Sequence, residues 1–307
     1  MSKPSGFLEL LKAPLRILFQ NGKLLAITGT VYLIIYSISL ILFTLSANPF
    51  LLDLTLKFIS LASARSGTPE FNELLVAIRE DAGIFLGIEG AYMVLFFFIA
   101  LFAQTAVIII ASSYYSGYDL SLKELVLKVS KIWTRPFVTS IWIYLLALGY
   151  TTFFLFPFLV PSLVLFDHPI IMFAILLFMA VLFFTLYIYL CVIWSLAVVV
   201  SVVEDSSGFS AIGRAKELVK GKRGHGFLLN LFYILVLLVI IVIVSTLSPA
   251  MPVVAGVIQT LLIVVMSMYQ FMAYSGFYFQ CENGMMKSGG LEYSRLPTAP
   301  VLNEDLP

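Results

Sequence analysis

The sequence has 307 residues, of which 61% are hydrophobic and only 11% are charged, and its formal net charge is +1. Ordinary soluble domains contain roughly 45–50% apolar and about 25% charged residues, so water is not the main solvent of this chain. The small net charge excludes a strongly basic nucleic-acid-binding protein.

Six long apolar segments dominate the chain. Each has about 20 or more residues with few charges, which is enough for a helix to cross a hydrocarbon core about 30 Å thick. We predict helices because a segment in lipid must satisfy its own backbone hydrogen bonds. The first segment is too long for a cleavable signal peptide, so we interpret it as a retained span. The predicted spans are residues 24–47, 84–110, 137–166, 170–203, 227–249 and 253–280.

Lysine and arginine residues are distributed unevenly among the connections between these spans. Fifteen of the 18 fall on one side, and the other three are Lys57, Arg65 and Arg79. Basic residues are retained on the cytoplasmic side of a membrane. We therefore expect a cytoplasmic amphipathic N-terminus (residues 1–23), a membrane domain (24–280) and a cytoplasmic polar tail (281–307). The pattern leaves open whether the membrane is an endomembrane or the plasma membrane.

The connection between the first two spans, residues 48–83, is the longest on the opposite side. Thr68 followed by Pro69 is typical of a helix start, and apolar residues then recur at helical spacing. We expect a helix to begin at Pro69 and the apolar stretch 50–61 to lie against the membrane.

Short amphipathic segments precede the first, third and fifth spans. The segment after Ser121 begins with a capping box formed by Ser121 and Glu124, and its apolar residues then share one helical face. Residues 209–220 and 7–20 show similar patterns, and we expect Pro14 to kink the latter. The predicted fold is all-α, a six-transmembrane-helix bundle built of three units. Each unit is an amphipathic surface helix followed by a two-span hairpin, and such helices bind anionic lipid surfaces.

One segment before the fifth span carries a family resemblance. Its residues are Val202-Val203-Glu204-Asp205, Gly208-Phe209, Ala211, Arg214-Ala215-Lys216 and Leu218-Val219-Lys220-Gly221. This pattern resembles uncharacterised plant six-span membrane proteins and the membrane domain related to glycerophosphoryl diester phosphodiesterases. The resemblance implies a six-span membrane domain. It implies no hydrolytic activity, because no soluble phosphodiesterase domain is present in this sequence.

Motifs that carry catalysis or bind phosphate and metal ions are missing. The sequence has no HExxH, GxSxG, Walker A or GxGxxG motif and only two histidines, so we predict no enzyme activity and no cofactor or metal ion. His168 is interpreted as a turn residue. Glu204 and Asp205 are expected to pair with the basic residues of the segment 221–226.

A basic cluster is the first candidate site. Residues 221–226 could offer backbone amides and cations to a phosphate, or form a helix C-cap and hinge. The residues predicted as possible anionic-lipid contacts are Arg214, Lys216, Lys220, Lys222 and Arg223.

Other candidate sites are weaker. Glu89 and Gln104 form a possible intramembrane polar site, although Glu89 lies near the end of its span, where charge costs less. Tyr293 and Leu296 match the Tyr-x-x-apolar spacing of sorting motifs. Cys281 beside the inner membrane face is a possible acylation site.

Two functional hypotheses follow. In the first, a non-enzymatic multi-pass membrane protein organises membrane lipids, or protein partners on the cytoplasmic face, through basic amphipathic helices. In the alternative, the protein is a small-solute transporter or channel with Glu89, Gln104, Gln259 and Gln270 along its path. Neither hypothesis involves nucleic acid, and the sequence leaves the oligomeric state open.

Overall fold

The computed structural model describes residues 6–65, 67–164, 168–248 and 251–287, and within them the chain forms α-helices and no strand. The eight helices of this part of the chain are α1 (Phe7–Ser63), α2 (Pro69–Ser116), α3 (Leu122–Ile132), α4 (Thr134–Val164), α5 (Pro169–Val203), α6 (Phe209–Val219), α7 (Arg223–Leu247) and α8 (Pro252–Lys287).

Six of these helices, α1, α2, α4, α5, α7 and α8, are long and apolar enough to cross a membrane. Their outward surfaces carry exposed leucine, isoleucine, valine and phenylalanine side chains along most of their length. A surface of this kind requires lipid around it, because soluble proteins rarely expose large contiguous apolar patches. For the described residues, the prediction of an all-helical protein with six helices able to span a membrane is confirmed.

The first two spans are longer than predicted. Helix α1 continues to Ser63 and α2 begins at Pro69, so the described residues of the predicted connection 48–83 are helical except at 64, 65, 67 and 68. The predicted helix start is confirmed, because the Thr68 hydroxyl accepts a hydrogen bond of 3.3 Å from the Phe71 amide and Pro69 follows it. Apolar residues of the stretch 50–61 therefore belong to α1 rather than to a separate surface segment.

The kink in α1 lies at Asn21 and not at Pro14, where it was predicted. Asn21 has φ −111° and ψ 25°, whereas Pro14 lies in the helix without leaving helical angles. Asparagine tolerates this sparsely populated backbone region, and the next residue is Gly22. The helix therefore kinks at the Asn-Gly pair. Residues 7–20, here called the N-terminal arm, change direction at this pair.

The packed core lies at one end of the bundle. It contains the last turns of α2, α5 and α8, the N-terminal arm, the first turns of α7, and the inward side of α6. Because most of the lysines and arginines also lie in these segments, we call this end the basic end. At the opposite end, the distal end, the spans expose apolar side chains and fewer residues are buried.

Helices α1 and α2 pair along the length of their hairpin. Lys57 Nζ forms an ion pair with Asp81, and Ser46 Oγ lies 3.5 Å from Tyr92 Oη. These two contacts fix one antiparallel register, in which Glu89 lies at the level of Pro49. The two helices of the hairpin thus stay paired from the core to the distal end.

Candidate functional site

Helix α6 packs onto the protein rather than lying free on a membrane. Ala211, Ala215 and Val219 are fully buried, and α6 contacts α5 and α8. These residues follow the i, i+4, i+8 spacing of one helical face, and two alanines in that face let the helices approach closely. The apolar side of α6 therefore covers the basic end of the bundle, and its basic side faces outward.

A cluster of three polar side chains connects α6 to the ends of α5 and α8. Tyr278 Oη donates a hydrogen bond of 2.8 Å to Glu204 Oε1, and Arg214 Nε donates to the same oxygen at 3.3 Å. The Arg214 guanidinium also lies 3.9 Å from the Glu217 carboxylate. Arg214 was predicted as a lipid contact, but its mostly buried side chain holds α6 against the bundle.

A second set of contacts holds the connection between α5 and α6 against α4. Asp205 forms an ion pair with Arg135, and the Gly208 amide donates a hydrogen bond of 2.9 Å to Thr139 Oγ1. Phe209 packs against Trp142, with ring centroids 4.3 Å apart and ring planes at 48° to each other. The expectation that Glu204 and Asp205 pair with residues 221–226 is wrong, since their partners are Arg214 and Arg135.

Gly208 has a backbone conformation that explains why glycine stands there. Its φ is +60° and its ψ is −131°, a region that side-chain-bearing residues rarely adopt. A Cβ at this position would also lie 3.1 Å from Trp142 Cδ1. The sharp turn between α5 and α6 therefore depends on this glycine.

The other predicted lipid contacts lie on the surface of the protein. Lys216, Lys220 and Arg223 are exposed, and Lys222 is partly exposed. Lys222 Cε lies 3.6 Å from where a Cβ of Gly284 would stand, so its stem follows the end of α8. Four of the five predicted lipid contacts thus carry charge on one outward surface, here called the α6–α7 surface.

Tight packing fixes the start of α7 directly behind this surface. Gly226 is buried, and a Cβ there would lie 2.6 Å from Val192 Cγ1 and 3.2 Å from Phe277 Cζ. The neighbouring Gly224 has open space around it. The backbone that carries Lys222 and Arg223 is therefore held close to α5 and α8.

Two other segments at the basic end expose apolar side chains. In α3, Leu125 is buried while Leu122 and Val126 are exposed. In the N-terminal arm, Leu10, Ala13 and Ile17 face the core. The opposite face of the arm exposes Leu8, Leu15, Leu18 and Phe19 beside Lys12 and Arg16.

The structure keeps the two predicted intramembrane polar residues apart. Glu89 and Gln104 both lie on α2 and both are half-buried. Fifteen residues of helix separate them, which corresponds to about 22 Å along the axis. Within the described residues, no ion pair involves Glu89. They do not form a common site.

Four further predicted residues have distinct outcomes. Cys281 is buried in the core of the basic end, so an acyltransferase reaches its thiol only if that core opens. Tyr293 and Leu296 lie outside the described residues. His168 immediately precedes α5, and its carbonyl accepts a 3.0 Å hydrogen bond from the Met172 amide.

Sequence reasoning missed the polar residues inside the bundle. Asn230 Nδ2 donates a 3.0 Å hydrogen bond to the Ile188 carbonyl, and this links α7 to α5. Gln280 is buried, and neither atom of its amide has a hydrogen-bond partner among the described residues. Neither position gives a signal in the sequence, because Asn230 lies alone in an apolar segment and Gln280 lies beside Glu282 and Asn283 at the polar end of a span.

Six membrane-spanning helices with a packed basic end define an integral multi-pass membrane protein. Residues 3–287 match the family model described as a domain of unknown function (DUF8558), and the chain belongs to that family. No curated protein matches the chain. No solved structure matches it either.

Proposed function

We propose that the protein is a non-enzymatic membrane protein whose basic end faces the cytosol and binds anionic lipid headgroups through the α6–α7 surface. Lys216, Lys220 and Arg223 supply the exposed cations, and Lys222 contributes at the edge next to α8. The ligand class is a lipid phosphate or carboxylate at the cytoplasmic leaflet, where anionic lipids concentrate.

The observation that carries this proposal is the pairing of the nearby acids. Glu204 contacts Arg214 and Tyr278, and Asp205 contacts Arg135. Glu217, which is next to Lys216 in the chain, is exposed, and its carboxylate lies 3.9 Å from the Arg214 guanidinium. Each of these three carboxylates thus has an arginine partner. The charge that remains on the α6–α7 surface is predominantly positive, which favours an anionic ligand.

The position of this surface fits a headgroup ligand. Helix α7 begins at Arg223 and becomes uniformly apolar a few residues later, so the α6–α7 connection lies at the boundary between lipid and water. Long lysine and arginine side chains reach the headgroup level from such a boundary while their stems stay on apolar surface. Each such cation adds about 1 kcal/mol of attraction to an anionic surface.

The exposed apolar residues of α3 and the N-terminal arm support the same membrane contact. Leu122 and Val126 on α3, and Leu15 and Phe19 on the arm, would enter the boundary between headgroups and acyl chains. Lys12 and Arg16 flank the arm's apolar face. In this proposal α6 supplies charge, whereas α3 and the arm supply apolar contact.

The alternative of a solute path has less support. Transport sites combine several polar groups near the membrane midplane, often at broken helices. Glu89 and Gln104 lie about 22 Å apart on one unbroken helix, as helical rise requires. We therefore favour lipid binding over transport.

Lipid selectivity tests the proposal. The purified full chain is reconstituted into vesicles with spin-labelled phosphatidylserine or phosphatidylcholine, and the motionally restricted fraction of each lipid is measured. We expect phosphatidylserine to be preferred, and the preference to fall at least several-fold in Lys216→Gln/Lys220→Gln/Arg223→Gln, since each cation is worth about 1 kcal/mol.

The control is Arg65→Gln/Arg79→Gln, which removes exposed charge from the distal end and leaves the basic end unchanged. We expect this control to keep most of the selectivity. Equal preference for both lipids in the parent chain, or full selectivity in the triple variant, would refute the proposal.

A further inference from the structure

Gln280 of α8 is a buried amide without a hydrogen-bond partner among the described residues. The residue is 3% exposed, and neither Nε2 nor Oε1 has a partner there. A buried polar group in this state costs free energy, which a ligand recovers if it supplies the missing hydrogen bond. The surroundings of Gln280 therefore indicate which ligand could do so.

The first turn of α7 lies on one side of this amide. Phe277 and Gly284 stand three residues before and four residues after Gln280, so the three share one face of α8. Phe277 Cζ lies 3.2 Å from where a Cβ of Gly226 would stand, and Lys222 Cε lies 3.6 Å from where a Cβ of Gly284 would stand. Gln280 thus lies between these two contacts, at the level of the first turn of α7.

The N-terminal arm lies on the other side of the amide. Gly276 stands one turn earlier on the same face of α8, and a Cβ there would lie 3.4 Å from Ala13 Cβ of the arm. In the arm, the exposed cations Lys12 and Arg16 outnumber the one acid, Glu9. The arm therefore covers the amide and adds positive charge to this part of the protein.

The first turn of α7 offers backbone donors beside Gln280. Helix α7 begins at Arg223, and Lys222 before it gives no side-chain cap. The amides of His225 and Gly226 donate to the Lys222 carbonyl at 3.1 and 3.3 Å. No carbonyl of α7 can accept from the amides of Arg223 and Gly224, because they stand at the start of the helix. A Cβ at Gly224 would meet open space, so a ligand can approach this turn.

These features together favour an anion with several acceptor oxygens. A helix N-terminus carries partial positive charge, and Lys222 adds a full positive charge beside it. A phosphate monoester has a charge of about −1.5 to −2 and three acceptor oxygens, so it can bind several of these donors at once. Glu282 does not oppose it, since a residue two positions from Gln280 faces another side of α8, near Tyr278.

The apolar surface next to this turn indicates that the phosphate belongs to a lipid. Helix α7 becomes apolar directly after its first turn, and Leu228 and Leu235 are 47% and 53% exposed on it. Acyl chains attached to a phosphate at the first turn would lie along these side chains in the membrane. A soluble phosphate ester has no apolar part that could cover them.

We propose that the first turn of α7 binds the phosphate monoester group of a lipid. The donors are the Arg223 and Gly224 amides, the Lys222 ammonium group and Nε2 of Gln280, which turns toward the phosphate by rotation about its side-chain torsions. This site rests on the proposed function, because that function brings the basic end against an anionic leaflet. It adds a headgroup class to that function, since the exposed cations of the α6–α7 surface attract any anionic lipid.

Lipid selectivity in single-residue variants tests this site. The purified full chain is reconstituted into phosphatidylcholine vesicles, and the motionally restricted fractions of spin-labelled phosphatidic acid, phosphatidylserine and phosphatidylcholine are compared. Gln280→Met removes the amide and keeps about the same side-chain length. The matched control is Gln270→Met, the same substitution at a partly buried glutamine of the same helix.

We expect the parent chain and Gln270→Met to prefer phosphatidic acid to phosphatidylserine about tenfold, and Gln280→Met to lose most of this preference, since one hydrogen bond to a charged group is worth about that factor. All three chains should still prefer phosphatidylserine to phosphatidylcholine. A preference for phosphatidic acid that Gln280→Met retains would overturn this proposal alone. Equal affinity of the parent chain for all three lipids would overturn it together with the proposed function.

A soluble competitor separates the two sources of a phosphate monoester. An excess of glycerol 3-phosphate should leave the restricted fraction of phosphatidic acid unchanged, because this ester has no acyl chains. Displacement of the lipid would assign the site to a soluble phosphate ester and would overturn the proposal of a lipid ligand.

A last measurement needs no substitution and is therefore independent of how Gln280→Met folds. Hydrogen exchange of the Arg223 and Gly224 amides is measured in the parent chain, in vesicles that contain either phosphatidic acid or phosphatidylserine. We expect phosphatidic acid to slow both amides several-fold more than phosphatidylserine does, because its phosphate accepts their hydrogen bonds. Equal exchange with the two lipids would overturn the proposal.

Discussion

Tyr278 near the end of α8 donates a 2.8 Å hydrogen bond to Glu204, the residue that follows α5. Because Arg214 of α6 binds the same carboxylate oxygen, this contact joins three helices at the basic end. The α6–α7 surface therefore depends on a carboxylate that holds α6 in place.

Removal of the Tyr278 hydroxyl should loosen α6. A hydrogen bond to a charged group contributes about 1.5–3 kcal/mol, so Tyr278→Phe should lower the free energy of unfolding by roughly that amount. Chemical unfolding in detergent measures the change, and hydrogen exchange should increase first in residues 209–219. The control is Tyr144→Phe, since Tyr144 is exposed on the lipid-facing side of α4. Equal stability of both variants would contradict the role assigned to Tyr278.

Gly226 should tolerate no side chain. Gly226→Ala would place a Cβ 2.6 Å from Val192 Cγ1, and we expect a loss of about 1–3 kcal/mol in unfolding free energy through overpacking. Gly224→Ala, two residues earlier, meets open space and should be neutral or stabilising by up to about 1 kcal/mol. Thermal unfolding of the purified variants makes the comparison. Similar midpoints for the two would show that α7 is not held closely against α5.

The capping box of α3 should make this helix sensitive to acid. The Ser121 amide and hydroxyl both donate to Glu124, and these hydrogen bonds lower the pKa of the Glu124 carboxyl. A carboxyl whose pKa is lower in the folded state stabilises the fold above its unfolded pKa, about 4.3 for glutamate. This contribution is lost as the pH falls through the lowered folded pKa.

Hydrogen exchange measures this effect. We expect the protection factors in residues 124–128 to fall as the pH is lowered below the ordinary range of glutamate, and Ser121→Ala to lower them about fivefold at neutral pH, for a cap worth about 1 kcal/mol. Glu124→Gln keeps a possible hydrogen-bond partner but does not titrate. An unchanged acid response in Glu124→Gln would assign that response to another group.

Local chemistry made several parts of the fold predictable. The capping box of Ser121 and Glu124 is confirmed, because its signal lies within four residues. The start of α2 at Pro69 was predictable for the same reason. The ends of the spans were not, since hydropathy falls where charges appear while the helix itself continues through Asp53 and Lys57 in α1.

Ion pairs between residues far apart in the chain could not be predicted from the sequence. Glu204 and Asp205 both lie nearer in the chain to Lys222 than to Arg135. Asp205 nevertheless pairs with Arg135, because Gly208 turns the chain against α4. The direction of α6 was also hidden. An apolar helical face of this kind can contact either lipid or a protein core. In α6 it contacts the protein, because α5 and α8 pack against it.

The proposed function requires the basic end to face the cytosol, and the accessibility of two added cysteines measures this orientation. Lys220→Cys stands on the α6–α7 surface, and Arg65→Cys stands in the distal connection between α1 and α2. Each variant is treated with a membrane-impermeant maleimide in intact cells, in digitonin-treated cells and in full detergent, with the parent chain as baseline.

We predict that Lys220→Cys is labelled once digitonin opens the plasma membrane and not in intact cells. Arg65→Cys should be labelled either in intact cells or only in full detergent, depending on the membrane in which the protein resides. Labelling of Arg65→Cys that first appears with digitonin, together with protection of Lys220→Cys, would contradict the account.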